Sequence, residues 1–410
     1  MNVTLMTDPH SQVAPAAPSE RPLERPPPKA PASRIAAFAR ALALALVVLA
    51  ALAYRPAAHH ADAAQLLTRF SDSNARVEGL DEQETFVPTP RGPVRARVFA
   101  PRARAALPGV VLVHGVHYKG IDESRILRFA RAVADTGVVV MLPEISELAD
   151  YHVDPRSIDT VGAALRELSR RTSRGRVGLM GMSFGGGIAL LTAADPRFAE
   201  HVGFVVAVGA HDDLGRILRF FATDAITLPD GTTRTQKAHG YGATVLVYNS
   251  VERMFAAPDV AEARLALRDW LQEKRDEARA HAAKTSPAAR EKLARVFDPD
   301  GASLRPELVA MLDTAERDPA SRAAGRAVSP HGNLGGLRAP TYLLHGEGDT
   351  VIPASETRWL EGQVPPGLLR QALVSPAIQH VEVHGEPTAR EKWDLVHFMG
   401  EVLGDAHGMR

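Results

Sequence analysis

Three residue types that together catalyse acyl transfer occur along the chain in the order serine, aspartate, histidine. Ser183 is the centre of Gly181-Met182-Ser183-Phe184-Gly185, which matches the pattern G-x-S-x-G. An apolar run that predicts a strand precedes this motif, and a run that predicts a helix follows it. A serine on such a strand-to-helix turn is held at the edge of a sheet, where it can act as a nucleophile. Because the chain contains 32 glycines, this flanking context is more informative than the five letters alone.

The candidate acid is Asp349, in the segment Gly346-Glu347-Gly348-Asp349 that follows the apolar run at 341–344. A buried, ionised aspartate can hold a histidine in one tautomer and stabilise the imidazolium that forms during catalysis. Asp212 and Asp213 follow another apolar run and stay open as the alternative acid, with helix capping as their structural explanation.

The candidate general base is His380, which a short loop separates from the strand-like run at 371–374. In this role it takes the proton of Ser183 and returns it to the leaving group. His384 is the competitor and is expected at the surface. His397 lies within the final amphipathic helix, where a structural role is expected.

The elements that must position these residues follow from the apolar pattern. Continuous runs of β-branched and aliphatic residues predict strands that are buried on both faces, as in a parallel sheet. Amphipathic helices are predicted between these strands, and an antiparallel hairpin is predicted before them, from Glu84 onward. The strand runs are 110–113, 138–142, 177–180, 202–208 and 341–344. The pattern predicts an α/β protein with a mostly parallel sheet flanked by helices and a site at the carboxyl ends of the strands.

Residues 212–337 lack most of the buried-strand signal and are rich in charged amphipathic helices. We interpret them as a mostly helical cap inserted into a core formed by 84–211 and 338–410. The run at 241–248 is compatible both with a strand and with the start of a buried helix, and its periodicity does not decide between them. Candidate pocket-wall or cap-core residues are Ile217, Phe220, Phe221, Tyr241, Tyr248 and Phe255.

The chain from about 86 to 403, apart from the insertion, resembles the α/β-hydrolase superfamily, and within it esterase-like and dienelactone-hydrolase-like serine hydrolases. The resemblance rests on the motif around Ser183, on the acid loop from Asp349 to Pro353, and on the position of His380. It implies the α/β-hydrolase fold and a triad of these three residues acting through an acyl-enzyme. Dienelactone hydrolases use cysteine as nucleophile, so Ser183 departs from that particular chemistry.

The segment Val111-Leu112-Val113-His114-Gly115-Val116-His117 resembles the loop that supplies the oxyanion hole in this superfamily. The resemblance implies that the backbone N–H groups of Val116 and Phe184 stabilise the oxyanion. His114 and His117 also form an H-x-x-H pair. A strand-to-loop junction does not place both on one helical face, and no acidic ligand motif accompanies them, so no metal site is expected.

Composition excludes several other classes of protein. Lys plus Arg and Asp plus Glu each number 48, so no net charge attracts the chain to nucleic acid. The absence of cysteine excludes disulfides, thiolate metal sites and a cysteine nucleophile. No cofactor is expected, and the expected partner is a small-molecule ester or acyl substrate.

The N-terminal region is expected to lie outside the fold. Residues 1–34 are rich in Pro, Ala and Ser and predict a disordered tail. Residues 35–54 form an apolar run long enough, at roughly 30 Å, to span a bilayer if Arg40 reaches the headgroups. Basic residues concentrate before this run, which predicts a signal-anchor helix, membrane attachment and an extracytoplasmic catalytic domain. The alternative is cleavage near Ala51-Leu52-Ala53 and secretion, and 55–83 is interpreted as a linker.

The sequence therefore predicts an enzyme that cleaves a carboxylic ester by a Ser-His-Asp triad. Two other functions stay open at this stage. One is a non-catalytic binding protein that keeps the fold, and the other is a peptidase, acyltransferase or perhydrolase that uses the same triad.

Overall fold

The structure is a computed structural model that describes residues 32–102, 107–172, 175–298, 302–379, 382–383 and 386–408. Of residues 32–37, 40, 43–53, 302, 379, 382 and 383 it describes the backbone only. The chain divides into two units, residues 1–53 and residues 54–410.

An eight-stranded sheet forms the centre of the second unit, in the order β1-β2-β4-β3-β5-β6-β9-β10. Two further short hairpins, β7 with β8 and β11 with β12, lie outside this sheet. The strands are β1 Leu80–Thr89, β2 Gly92–Pro101, β3 Gly109–Val113, β4 Val139–Pro143, β5 Val177–Met182, β6 Val202–Val208, β7 Ala225–Thr227, β8 Thr233–Thr235, β9 Thr341–Gly346, β10 Leu369–Ser375, β11 Ile378–Gln379 and β12 Glu382–Val383. The mostly parallel sheet predicted from the sequence is confirmed, and its architecture fits the α/β-hydrolase fold.

Strand pairing brings the candidate catalytic segments to one edge of the sheet. The pairs from β4 to β10 are parallel, whereas β1 with β2 and β2 with β4 are antiparallel. Val113 is in register with Gly181, Met182 with Val208, and Val208 with Leu344. The residues that follow β3, β5 and β9 therefore meet at the same carboxyl edge.

Helices cover both faces of the sheet. Buried residues of α4 and α5 form the core on one face, and residues of α2, α15 and the end of α1 form the core on the other. The helices are α1 Ala32–Ser71, α2 Ser124–Asp135, α3 Ser146–Ala149, α4 Arg156–Arg171, α5 Phe184–Ala194, α6 Leu214–Thr223, α7 Tyr241–Tyr248, α8 Val251–Met254, α9 Val260–Leu271, α10 Arg275–Ala283, α11 Pro287–Val296, α12 Arg305–Arg317, α13 Pro319–Ala327, α14 Ser355–Gln363 and α15 Ala389–Gly408.

The segment between β6 and β9 is mostly helical and has a core of its own. Leu246, Tyr248, Leu267 and Leu293 are among its fully buried side chains. The run at 241–248, for which the sequence allowed a strand or a helix, is helix α7, and every residue from 244 to 248 is buried. A helix surrounded by other helices buries apolar groups on all sides, which removes the periodicity that would have distinguished it from a strand.

The interpretation of 55–83 as a linker is wrong in part. Helix α1 continues to Ser71, and β1 begins at Leu80. Ala63, Leu66 and Phe70 lie on one side of this helix and are buried against α2 and α15. Burial of a leucine or phenylalanine contributes about 1.5–3 kcal/mol, so packing against α2 and α15 stabilises the helix beyond the apolar run.

In the part of the chain that the structure describes, no helix is both long enough and apolar enough to cross a membrane. Most of the apolar run at 35–54 falls on residues 43–53, whose side chains lie outside that part. The membrane segment is therefore not confirmed, and the tail at 1–31 also lies outside the described residues.

Candidate active site

Ser183 occupies the turn between β5 and α5 in a backbone conformation that non-glycine residues rarely adopt. Its φ is 54° and its ψ is −133°, so a non-glycine residue lies at positive φ. Such strain persists where the surrounding structure enforces it, which is typical of functional sites. The Ser183 N–H donates to the Val208 carbonyl across the sheet at 2.7 Å. The side chain is nearly buried, with 4% of its surface exposed.

The glycines on either side of Ser183 allow close backbone packing. A Cβ on Gly181 would lie 2.3 Å from the Gly185 carbonyl oxygen. A Cβ on Gly185 would lie 2.3 Å from the His114 carbonyl oxygen. Both positions exclude a side chain, so the G-x-S-x-G spacing is a steric requirement of this turn.

The loop after β3 passes directly over the nucleophile. A Cβ on Gly115 would lie 3.1 Å from the Ser183 Cβ and 3.8 Å from its Oγ. Val116 is the next residue in that loop, and Phe184 is the first residue of α5, whose backbone N–H has no intrahelical partner. The predicted oxyanion donors thus belong to the two segments that flank the serine.

His114 holds this loop in place. Its Nδ1 lies 2.8 Å from the Gly115 carbonyl oxygen, and its Nε2 accepts the Ile145 N–H at 3.0 Å. These partners require a neutral ring with the proton on Nδ1. Burial lowers the pKa of His114, which agrees with a neutral ring at neutral pH. His114 thus links the loop after β3 to the start of α3, and in this state neither of its ring nitrogens is available to a metal ion.

Asp349 follows β9 and is fully buried. Its Oδ1 accepts the N–H groups of Val351 and Ile352 at 2.8 and 3.0 Å. His345 lies beside it, with Nε2 3.6 Å from the Asp349 Oδ2. Backbone donors to a carboxylate favour its ionised form, as the predicted acid requires.

Asp212 and Asp213 have other partners. The Asp212 carboxylate contacts Arg216 at 2.6 Å and the His331 Nδ1 at 2.9 Å. Asp213 caps α6 by accepting the Arg216 N–H at 2.8 Å. Asp212 therefore takes part in a charge network and Asp213 in a helix cap, and the choice of Asp349 as the acid stays a prediction.

The predicted base, His380, and its competitor His384 lie outside the described residues. The neighbouring elements are described. The Glu347 N–H donates to the Ser375 carbonyl at 3.0 Å and joins the acid loop to the end of β10. Strand β11 then ends at Gln379, directly before His380. His397 lies on α15, where its Nδ1 is 3.0 Å from the His60 Nε2.

Segments of the insertion contact the acid loop. The Gln236 side chain donates to the Asp349 carbonyl at 2.5 Å, and the His239 N–H donates to the Thr350 carbonyl at 2.8 Å. Tyr241 follows at the start of α7. Burial first, and then the negative charge of Asp349, raise the pKa of its hydroxyl well above the ordinary value. The insertion therefore brings a neutral phenol into the electrostatic field of the acid.

A cavity of about 70 Å³ borders Ser183. Its apolar wall includes Phe70, Val116, Ile126, Phe129 and Met182, and its polar part includes His117, Glu123 and Arg125. The Arg125 Nε donates to Glu123 at 2.9 Å, so the two charges compensate each other. Burial raises the pKa of Glu123, but hydrogen bonds from Arg125 and the α2 backbone outweigh it and lower the pKa overall.

This wall differs from the one suggested by the sequence. Ile217, Phe220 and Phe221 belong to the core on the α4 and α5 side of the sheet, and Tyr248 and Phe255 belong to the core of the insertion. Phe70 comes instead from the end of α1, and Phe129 from α2. The signal for Phe70 was the spacing of Ala63, Leu66 and Phe70, which places all three on one side of a helix.

No family model matches the chain, and no curated protein matches it. Solved structures do. The chain is similar to a bacterial heroin esterase at 16% identity, covering 82% of this chain and 87% of that one with a TM-score of 0.46. It is similar to brefeldin A esterase, a bacterial homologue of human hormone-sensitive lipase, at 17% identity, covering 87% and 85% with a TM-score of 0.44. An esterase from Pyrobaculum calidifontis is similar at 16% identity, covering 93% of this chain and 99% of that one with a TM-score of 0.42.

Proposed function

We propose that this chain is a serine hydrolase that cleaves small carboxylic esters. The observation that carries the proposal is Ser183, which is held at positive φ on the strand-to-helix turn, beneath Gly115 and beside an apolar cavity. A strained serine at the carboxyl edge of a parallel sheet has the geometry of a nucleophile rather than of a structural residue.

The reaction has two halves. In the first, His380 takes the proton from the Ser183 Oγ as the Oγ–C bond to the carbonyl forms, and the N–H groups of Val116 and Phe184 stabilise the resulting oxyanion. The C–O bond to the leaving alkoxide then breaks, and His380 returns the proton to it. Water repeats the sequence on the acyl-enzyme and releases the acid, while Asp349 stabilises the imidazolium in both halves.

The cavity favours short, uncharged acyl groups. Its volume is small beside the roughly 300–1,000 Å³ of pockets that enclose drug-sized ligands. Much of its wall is apolar, and the ion pair of Arg125 with Glu123 in its polar part is internally compensated. Among the described residues that line the cavity, an anionic acyl chain would therefore meet Glu123 while Arg125 is already paired with it.

Covalent labelling tests the nucleophile. The full-length chain should react with a fluorophosphonate probe and hydrolyse p-nitrophenyl butyrate, and both activities should be lost in Ser183→Ala and His380→Ala. His384→Ala is the matched control for the base and should keep both. A folded wild-type chain that neither labels nor hydrolyses esters of any acyl length would refute the proposal and favour a non-catalytic role.

Replacing Phe70 by alanine should lengthen the preferred acyl chain. The ring lines the cavity and packs edge-on against Phe129, with ring centroids 5.1 Å apart. One methylene in an apolar pocket is worth about 1–3 kcal/mol. We therefore expect the ratio of kcat/KM for p-nitrophenyl octanoate over acetate to rise by about tenfold or more. Leu66→Ala is the control, because Leu66 is also buried on α1 and is not among the residues that line the cavity. An equal shift in both variants would contradict this assignment of the wall.

We also propose that residues 35–54 anchor the chain in a membrane with the hydrolase on the extracytoplasmic side. The apolar run and the basic residues before it support this orientation. The full-length chain expressed in a bacterium should resist alkaline extraction from membranes, and protease added to spheroplasts should digest its hydrolase body. Soluble periplasmic protein cleaved after Ala53 would instead support secretion, and protease-resistant protein in the cytoplasm would refute both.

A further inference from the structure

Three metal-ligating side chains meet between α1 and α15, within residues 54–410. A nitrogen of His60, a nitrogen of His397 and a carboxylate oxygen of Glu401 all lie within 4.8 Å of one another. The closest pair is the His60 Nε2 and the His397 Nδ1, at 3.0 Å. None of the three lines the cavity beside Ser183, so the proposed ester hydrolysis does not account for them.

His60 is oriented by a backbone group. Its Nδ1 lies 2.6 Å from the Pro56 carbonyl oxygen, which can only accept a hydrogen bond, so the proton is on Nδ1. The lone pair of Nε2 then faces His397. Metal-binding histidines almost always donate their other N–H to a carbonyl or carboxylate in this way.

His397 and Glu401 are four residues apart on α15, and therefore one helical turn apart on the same face. This spacing directs an imidazole and a carboxylate to one point. Both side chains are exposed, so an ion can reach them from solvent without a rearrangement of the fold.

Glycines on α15 leave room for the histidines of α1. A Cβ on Gly400 would lie 3.0 Å from the His60 Cγ, and a Cβ on Gly404 would lie 3.3 Å from the Nδ1 of the adjacent His59. Trp393, also on α15, stacks on His60 with ring centroids 5.6 Å apart. The His60 ring is thus fixed by packing as well as by its hydrogen bond.

We propose that His60, His397 and Glu401 bind a zinc ion that fastens the end of α1 to α15. Two imidazoles and one carboxylate are a donor set that suits Zn²⁺, and water can complete a tetrahedron. Two nitrogens at roughly 2.0–2.1 Å from a tetrahedral ion lie about 3.4 Å apart. The 3.0 Å separation of His60 and His397 therefore needs to widen by only a few tenths of an ångström.

The site predicts saturable binding of one zinc ion per chain. Untagged full-length protein, dialysed against a chelator, is titrated with Zn²⁺ in a calorimeter, with Mg²⁺ as the negative probe. Loss of a second-shell partner costs about 10- to 100-fold in metal affinity, so His397→Ala and Glu401→Gln should weaken binding at least that much. His59→Ala is the matched control, because this neighbouring histidine stacks on His407 and is outside the donor set.

Two further measurements separate metal binding from a simple histidine–histidine hydrogen bond. Co²⁺ should give the visible absorption bands of a tetrahedral ion in the wild type and not in His397→Ala. Zn²⁺ should raise the melting temperature of the wild type but not that of His397→Ala, whose unchanged ester hydrolysis would confirm that the variant is folded. Absence of saturable Zn²⁺ binding in folded wild-type protein, or binding that survives both His60→Ala and His397→Ala, would overturn the proposal.

Discussion

Replacing Asp349 by asparagine should lower kcat by about 10⁴-fold while leaving KM and the fold nearly unchanged. The asparagine Oδ1 can still accept the N–H groups of Val351 and Ile352, which keeps the loop in place. Its amide NH₂, however, would replace a carboxylate oxygen and favour the wrong tautomer of His380. In a well-studied serine protease the same type of substitution costs about 10⁴ in kcat. The measurement is steady-state hydrolysis of p-nitrophenyl butyrate by the full-length chain.

Asp212→Asn is the matched control for this prediction. Asp212 is as fully buried as Asp349, but its carboxylate pairs with Arg216 and His331. Arg216 keeps its ion pair with Glu356 at 2.8 Å, so this variant should unfold at a somewhat lower temperature and keep its kcat. If Asp212→Asn lost activity while Asp349→Asn kept it, Asp212 and not Asp349 would be the acid of the triad.

The sheet could be predicted from the sequence because its central strands are buried on both faces. Each such strand is a continuous apolar run, and the structure has strands at every predicted run, with bounds that differ by no more than a few residues. Ser183 could be predicted for a related reason. Its turn requires glycines at 181 and 185, and a steric requirement of the backbone leaves a fixed spacing in the sequence.

The continuation of α1 and the wall of the cavity depend on contacts that sequence patterns do not record. Phe70 lines the same cavity as Ser183 although more than a hundred positions separate them in the chain. The part of α1 that carries Phe70 also contains His59, His60 and Arg69, so the mean hydropathy of this part is low. The buried positions 63, 66 and 70 are therefore easily missed in the sequence. Only the fold places α15 and α2 against it. The role of His380 stays a prediction from motif order.

Replacing Gly185 by alanine should lower kcat by about 10²- to 10³-fold without removing any catalytic group. The new Cβ would lie 2.3 Å from the His114 carbonyl oxygen and 3.0 Å from that of Val113. Both of these atoms are backbone, so α5 and the loop after β3 must move apart. That loop carries Gly115 and Val116 over the nucleophile, and loss of one oxyanion donor typically costs about 10² to 10³ in rate.

Gly325→Ala separates this effect from the general cost of a glycine substitution. Gly325 lies within α13, and a Cβ there would meet no atom within 4 Å. Alanine in a helix interior is favoured over glycine by about 0.5–1 kcal/mol, so this variant should be slightly more stable and equally active. Gly185→Ala should still label at Ser183, but more slowly, because the nucleophile remains while the donors opposite it are displaced. Wild-type rates in Gly185→Ala would mean that the loop after β3 yields without disturbing the reaction, and the oxyanion donors would then have to lie elsewhere.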